Sequence, residues 1–419
     1  MGTTISKENT LVAAGAATFG AGAAFFLIGG TTTSSNGQEV NRKTVLNPGR
    51  YDGATFLDGC PQANDQSSWF VVPVKGTTYE PKKVLISAPY LAPHIDRFKP
   101  ILHAWNIHVE TIFDIERMEA DMIIDMSKKT KFDGVICGDD RYTPEAFAAC
   151  APELKIVSKW GTGIDSINLK AAAANNVLVG NTENAFSKPV SDSIISYCLQ
   201  FCRMQLWSDR MMKRGQWLKI PGRSLNECTI GVIGLGNVGM STVKRAFGFE
   251  CTIIGTDLPS VLKSTKCQNF CSKYNVKQMN IDELCKESDF VCVCAQLTGA
   301  HQSDFPTFHL INAKRLASMK KNAVLINCAR GPIVDEKALI HALNTKQIAG
   351  AALDVFENEP LPKDSPLCNM DNVLMAPHNS NSSPTAHEAV HWSTLKNLLT
   401  GLKLPFDEQR TILAESKIR

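Results

Sequence analysis

The chain has little net charge and few aromatic residues. Of its 419 residues, 44 are Lys or Arg and 41 are Asp or Glu, a formal net charge of +3, and Phe, Trp and Tyr together make up 7 %. The basic residues are spread along the chain. No basic stripe alternates with aromatics, which argues against a nucleic-acid surface. Disulfide patterning is missing as well. The 14 cysteines show no scaffold spacing, and several, such as Cys292, Cys294 and Cys328, lie inside apolar, strand-like runs. That reads as thiols of a reducing compartment. Cys267 and Cys271 stand where they could share one helix face, but no second Cys or His pair accompanies them at zinc spacing, so no metal site is expected. The bulk composition is ordinary for a globular chain, 44 % hydrophobic and 20 % charged, and the length allows two or three domains.

What is present is sharper. The run CTIGVIGLGNVGMSTVKRAFGFECTIIGTD carries Gly234, Gly236 and Gly239. A lone GxGxxG means little. Here an apolar strand candidate, 229–233, precedes the glycines, a helix candidate, 241–247, follows them, and a second strand, 251–255, leads to Asp257. That context makes the motif a dinucleotide fingerprint. The glycines, with Asn237 and Val238 among them, would let the backbone approach a pyrophosphate at a helix N-terminus, where N–H groups and the helix dipole favour anions. Asp257 would accept from the adenosine ribose and repel a 2′-phosphate, so NAD is expected over NADP.

Further on, VLINCARGPIVDE, AGAALDVFENEP and MAPH place Arg330, Glu359 and His378 at or just beyond the ends of short apolar runs. A cation, a carboxylate and an imidazole at strand ends suit a 2-keto or 2-hydroxy acid. Arginine pairs bidentately with a carboxylate. Histidine exchanges a proton near neutral pH. A glutamate beside it holds the imidazole and raises its pKa.

Taken together these motifs resemble the D-isomer-specific 2-hydroxyacid dehydrogenases, the phosphoglycerate dehydrogenase-like family, over roughly residues 84–403. The resemblance implies an NAD-dependent oxidoreductase acting on a small 2-hydroxy or 2-keto acid. Arg330 would bind and polarise the substrate, and Glu359 would support His378 as the acid–base. Asp354 would contact the nicotinamide carboxamide, and Cys328 and Ala329, leading into Arg330, join the cofactor set. The run SKWGTGID matches the family's substrate loop, so Lys159, Trp160, Gly161, Thr162 and Gly163 are substrate-binding candidates, the glycines permitting a tight anion nest. Arg141 lies near a second substrate-contact region, where another cation would suit a phosphorylated or dicarboxylic acid. A homodimer is implied through the long helix near Val190. A different class stays open, because dinucleotide-binding co-repressors of the same superfamily keep much of this residue set. Two departures from the family pattern stand out: PHNSNSS replaces PHIGGxT after His378, and residues 300–306 are inserted close to the cofactor. The tail leaves no room for the regulatory small-molecule domain of some relatives.

The N-terminal part falls outside the family pattern. Residues 11–30, LVAAGAATFGAGAAFFLIGG, carry no charge and are long enough to span a bilayer, though their Gly and Ala content makes insertion marginal. Arg42 and Lys43 downstream would leave the remainder on the cytoplasmic side. MGTTIS also fits a myristoylation pattern at Gly2. Membrane anchoring, organelle targeting and cleavage all stay open. Residues 31–80 read as a linker or irregular extension.

Repeated β–α alternation follows, so the fold class is α/β: two Rossmann-like, doubly wound parallel-sheet domains, the substrate domain discontinuous. The expected boundaries are 1–80 for the N-terminal segment and linker, 81–185 for the first part of the substrate domain, 186–377 for the NAD-binding domain and 378–419 for the return to the substrate domain. A single long helix is expected over 190–214.

Overall fold

Two parallel sheets organise the molecule. The computed structural model describes residues 70–113, 115–299 and 303–409, together with strand backbone at Thr32–Thr33, Glu39–Val40 and Glu415–Ile418. The chain divides into two units, Met1–Gln62 and Ala63–Arg419. In the first, Thr32–Thr33 pairs antiparallel with Glu39–Val40. The uncharged run 11–30 and Gly2 lie outside the described residues. Among the described residues, no helix is long and apolar enough to cross a membrane.

In the second unit the first lobe is built on β1 (Lys82–Ile86), β2 (Ile107–Thr111), β3 (Gly134–Cys137), β4 (Ile156–Lys159) and β5 (Leu178–Glu183), all parallel in the order β2-β1-β3-β4-β5. Helices α1 (Ile95–His103), α2 (Ala120–Lys129), α3 (Pro144–Cys150) and α4 (Leu169–Ala174) make the crossovers. β3 and β4 are buried along their whole length. Such strands are apolar on both faces because helices cover both, so they read as continuous rather than alternating runs.

The chain then passes through α5 (Ser187–Arg203) and α6 (Gln205–Lys213) into the second lobe. The single helix expected over 190–214 is thus two. The break is at Met204, whose φ of 48° is left-handed and ends the i to i−4 ladder. Beyond it, Trp207 turns its Nε1–H to Asp371 O at 2.9 Å.

The second lobe contains β6 (Thr229–Ile233), α7 (Asn237–Phe247), β7 (Thr252–Thr256), α8 (Thr265–Lys273), β8 (Lys277–Gln278), α9 (Ile281–Glu287), β9 (Phe290–Val293), α10 (Ala313–Ser318), β10 (Val324–Asn327), α11 (Glu336–Asn344), β11 (Gly350–Leu353) and β12 (Val373–Met375). Its strands are all parallel, in the order β8-β7-β6-β9-β10-β11-β12. The order reverses between β6 and β9, and ligands bind in the crevice that such a switch point opens at the C-terminal strand ends.

The chain returns to the first lobe through α12 (Pro384–Gly401), which lies on the first sheet: Ser158 Oγ donates to Thr394 O and Asn397 Nδ2 to Asn181 O. The backbone of β13 (Glu415–Ile418) adds an antiparallel edge to β5. The folded body also takes in the described stretch from residue 70 on, which the reading of 31–80 as linker or irregular extension leaves outside it. Val71–Pro73 pairs antiparallel with Phe406–Glu408, and Val71 is fully buried. That strand exists because a partner from the far end of the chain completes it.

Candidate active site

At the switch point the glycine loop has the shape a pyrophosphate requires. Gly234 has φ +96°, and a Cβ there would meet the backbone of Ala295. A Cβ on Gly239 would fall 1.8 Å from Gly234 O, so α7 can approach β6 only without one. A Cβ on Gly236 would meet nothing within 4 Å and would project into open space. No side chain caps α7 at its N-terminus, where Asn237 and Val238 form the first turn, so its first N–H groups are left for an anion. Asp257, at the end of β7, accepts from Leu235 N at 2.6 Å. It thereby ties the loop to the strand end where a ribose would lie. The residues present fit NAD.

Across the sheet, Asn327 ends β10 and shapes the arginine turn. Its Nδ2 donates to Arg330 O, and its Oδ1 accepts from Ala329 N. Cys328 and Ala329 sit inside this turn. Burial pushes the Cys328 thiol well above its ordinary pKa, so it is a neutral wall. The Arg330 side chain reaches the other lobe: its Nε donates to Asp165 at 3.1 and 3.3 Å, and its Nη1 to Ala329 O. Its Nη2 would stand 1.8 Å from a Cβ on Gly163. Gly163 is therefore glycine for the sake of the guanidinium beside it.

His378 has φ 51°, and its Nδ1 lies 2.9 Å from Glu359 Oε2. Glu359 is fixed in turn, its Oε1 accepting from Phe356 N at 2.9 Å. Burial alone would lower the His378 pKa, but the hydrogen bond and charge of Glu359 outweigh it, and the net shift is upward. Arg330 lies close enough that its charge opposes this shift. Asp354 is 1 % exposed, and both its oxygens are engaged with backbone, Asn379 N at 2.8 Å and Ser380 N at 2.9 Å. It fastens the loop just past His378.

The loop after β4 faces these groups. Gly161 has φ +130°, its carbonyl accepts from Thr182 N, and Thr162 is bonded on both sides to the Asn181–Thr182 strand end. The N–H groups of Gly161, Thr162 and Gly163 donate to no protein acceptor among the described residues, as a carboxylate nest requires. Lys159 is 4 % exposed and pairs with Asp139 at 3.0 Å. Burial would raise the Asp139 pKa, yet Lys159 and Arg330 hold its carboxyl well below the usual range. Trp160 is buried, with its Nε1–H on His391 Nδ1 at 3.0 Å, and so carries the loop from behind. Arg141 stands apart, its side chain half-exposed and paired with Glu119 at 3.2 Å. Sequence reasoning passed over Asp139, Asp165 and Asn327. Asp165 ended a motif already singled out, and a carboxylate two residues past Gly163 was the available signal. His309, Asp335 and Glu357 bring three ligand atoms within 4.8 Å. Asp335 already caps α11, and Glu357 accepts from His309 and Glu336 N, which accounts for the cluster as a helix cap.

Comparison with known proteins identifies the family. Residues 195–380 match the family described as D-isomer specific 2-hydroxyacid dehydrogenase, NAD binding domain. The chain is 36 % identical over 259 residues to a glyoxylate reductase of Thermofilum pendens, covering 60 % of this chain and 73 % of that one. It is 39 % identical over 242 residues to a D-3-phosphoglycerate dehydrogenase of Methanocaldococcus jannaschii, 57 % of this chain but 44 % of that one. An NAD-dependent formate dehydrogenase of Staphylococcus aureus, solved with NAD, shares the fold with a TM-score of 0.65 at 24 % identity, over 78 % of this chain and 97 % of that one.

Proposed function

Because the chain belongs to the D-isomer-specific 2-hydroxyacid dehydrogenase family, we propose that it interconverts a D-2-hydroxy acid and its 2-keto acid, with Arg330 binding the carboxylate and His378 moving the hydroxyl proton. The observation that carries this is the His378–Glu359 hydrogen bond within the electrostatic reach of Arg330. NAD, when bound, supplies the hydride acceptor or donor. Nδ1 of His378 is committed to Glu359, which leaves Nε2 for the substrate oxygen. Its raised pKa favours the protonated ring, which donates to a carbonyl oxygen in reduction. Nη2 of Arg330 and the free N–H groups of the Gly161–Gly163 loop offer a carboxylate donors from both lobes. Enclosure between the lobes strengthens each of these interactions by excluding water.

The same reading includes a homodimer. Met212, Trp217 and Leu218 are 52, 80 and 62 % exposed along the segment following α5, large apolar side chains of the kind that another copy covers. The catalytic unit is proposed to face the cytoplasm, with residues 11–30 as a membrane-associating segment; cell fractionation of the chain with and without them tests this.

The test of the activity is NADH oxidation by the purified protein on glyoxylate, hydroxypyruvate, pyruvate, phosphohydroxypyruvate and 2-ketoglutarate, beside Arg330→Ala. Turnover on at least one, lost in the variant, is the expected result. Bound NADH with no turnover on any would transfer the weight to a dinucleotide-sensing role.

A further inference from the structure

Arg330 is gripped by a carboxylate that its own lobe does not supply. Asp165 belongs to the first lobe and follows Gly163 by two residues. Its two oxygens accept from Arg330 Nε at 3.1 and 3.3 Å, and among the described residues they have no other hydrogen-bond partner. A carboxylate in a turn usually accepts nearby backbone N–H groups. Asn168 and Asp335 do so, each taking an N–H of the helix it caps. Asp165 holds nothing in its own loop, so its chemistry is spent across the crevice.

The guanidinium has five N–H donors in one plane. Nε–H goes to Asp165, and Nη1 donates to Ala329 O at 3.0 Å. Ala329 is fixed in turn, its N–H held by Asn327 Oδ1. The plane is thus anchored twice, once from each lobe. Nη2 has no acceptor among the described residues and lies against Gly163, where a Cβ would stand 1.8 Å from it and 3.0 Å from Asp165 Oδ1. The missing methyl group makes room for both members of the pair. With Nε filled by Asp165, a substrate carboxylate meets the guanidinium at its Nη2 end, on the side of the Gly161–Gly163 loop. A single ion pair that is 24 and 28 % exposed contributes little to stability, so holding the lobes together is not what it is suited to. Holding a flexible side chain in one orientation is.

We propose that Asp165 is a positioning residue for the reaction: from the first lobe it aims the Arg330 guanidinium, so that Nη2 and the N–H groups of the Gly161–Gly163 loop converge on one carboxylate. The proposal rests on the 2-keto-acid reading of the site. It makes the approach of the two lobes and the assembly of the carboxylate site one event, because the aim exists only while Asp165 reaches Nε.

The test is steady-state kinetics of the full chain with NADH on glyoxylate and hydroxypyruvate, for Asp165→Ala, Asp165→Asn, Arg330→Ala and the Asp165→Ala/Arg330→Ala pair. Alongside, oxamate, an unreactive 2-keto acid mimic, is titrated into the NADH-loaded protein and followed by NADH fluorescence. In Asp165→Ala, KM and the oxamate Kd should rise at least about tenfold, the scale of a misplaced contact group, with a smaller change in kcat and with NADH affinity and melting temperature retained. Asp165→Asn should fall between, because an amide oxygen still accepts from Nε but without the charge. In the Arg330→Ala background, Asp165→Ala should change the oxamate Kd by no more than about twofold, since coupled residues are not additive and nothing is left to aim. An unchanged or lowered KM in Asp165→Ala overturns the proposal, as does an equal effect with and without Arg330. Loss of NADH affinity or of melting temperature in both Asp165 variants also overturns it and assigns Asp165 to the fold. In each of these cases the dehydrogenase reading stands. NADH binding by the unaltered chain, with no turnover on any 2-keto acid and no oxamate binding, overturns both.

Discussion

At Gly163 a single methyl group decides where the Arg330 guanidinium can sit. A Cβ would lie 1.8 Å from Nη2 and 2.8 Å from Cζ of Arg330, so Gly163→Ala must push the guanidinium aside. We expect KM for the keto acid to rise at least about tenfold, since a displacement of about 1 Å in a positioned group costs up to about a hundredfold. NADH affinity should be retained, as fluorescence titration would show. Arg330→Ala should lower kcat/KM by roughly a hundredfold or more. Its stability cost should be small, because the Arg330–Asp165 pair is partly exposed and such pairs contribute at most about 1 kcal/mol; a melting curve beside the kinetics separates the two effects. The His378 pKa is raised, chiefly by Glu359 against burial. The proton donor for reduction is therefore present below that pKa and lost as pH rises through it. In Glu359→Gln the supporting charge is gone, so the falling limb of the reduction profile should move to lower pH. An unmoved limb would show that Glu359 does not set the titration. At this scale the sequence exposed residues whose chemistry is unusual for a loop, Arg330, Glu359 and His378. It hid Asp139 and Asp165, because a carboxylate near a cation becomes meaningful only when another strand brings the cation to it.

The glycine loop separates two roles that the motif merges. A Cβ at Gly236 meets no protein atom, whereas one at Gly239 collides with Gly234 O. Gly236→Ala should therefore leave the melting temperature nearly unchanged while weakening NADH binding, and Gly239→Ala should lower the melting temperature by several degrees, since forced overpacking costs about 1–3 kcal/mol. Equal destabilisation by the two would contradict this division. Most elements of both lobes were legible because strands buried on both faces appear as short β-branched runs, TIGVI at β6 and VLIN at β10, separated by helical stretches. Two features were not. The turn at Met204 interrupts a helical pattern without Gly or Pro to announce it. The strand Val71–Pro73 depends on Phe406–Glu408, more than 300 residues away, and no local pattern encodes a partner that distant.

In the whole molecule the two lobes meet where Arg330 of the second reaches Asp165 of the first. On the proposed reading, donors to the substrate carboxylate on both sides of the crevice would make substrate binding and lobe closure reinforce each other. Beyond the single chain, the exposed Trp217 and Leu218 lead us to expect a dimer in sedimentation that Trp217→Ser shifts toward monomer; an unshifted distribution would place the interface elsewhere. The central claim, that Arg330, His378 and Glu359 direct proton transfer in a stereospecific 2-keto acid reduction, is tested most directly by incubating the full chain with NADH and hydroxypyruvate or glyoxylate and analysing the product. With hydroxypyruvate the account predicts NADH consumption matched mole for mole by the D-2-hydroxy acid, and loss of that product in His378→Ala. Formation of the L-isomer, or unchanged product from His378→Ala, would contradict it.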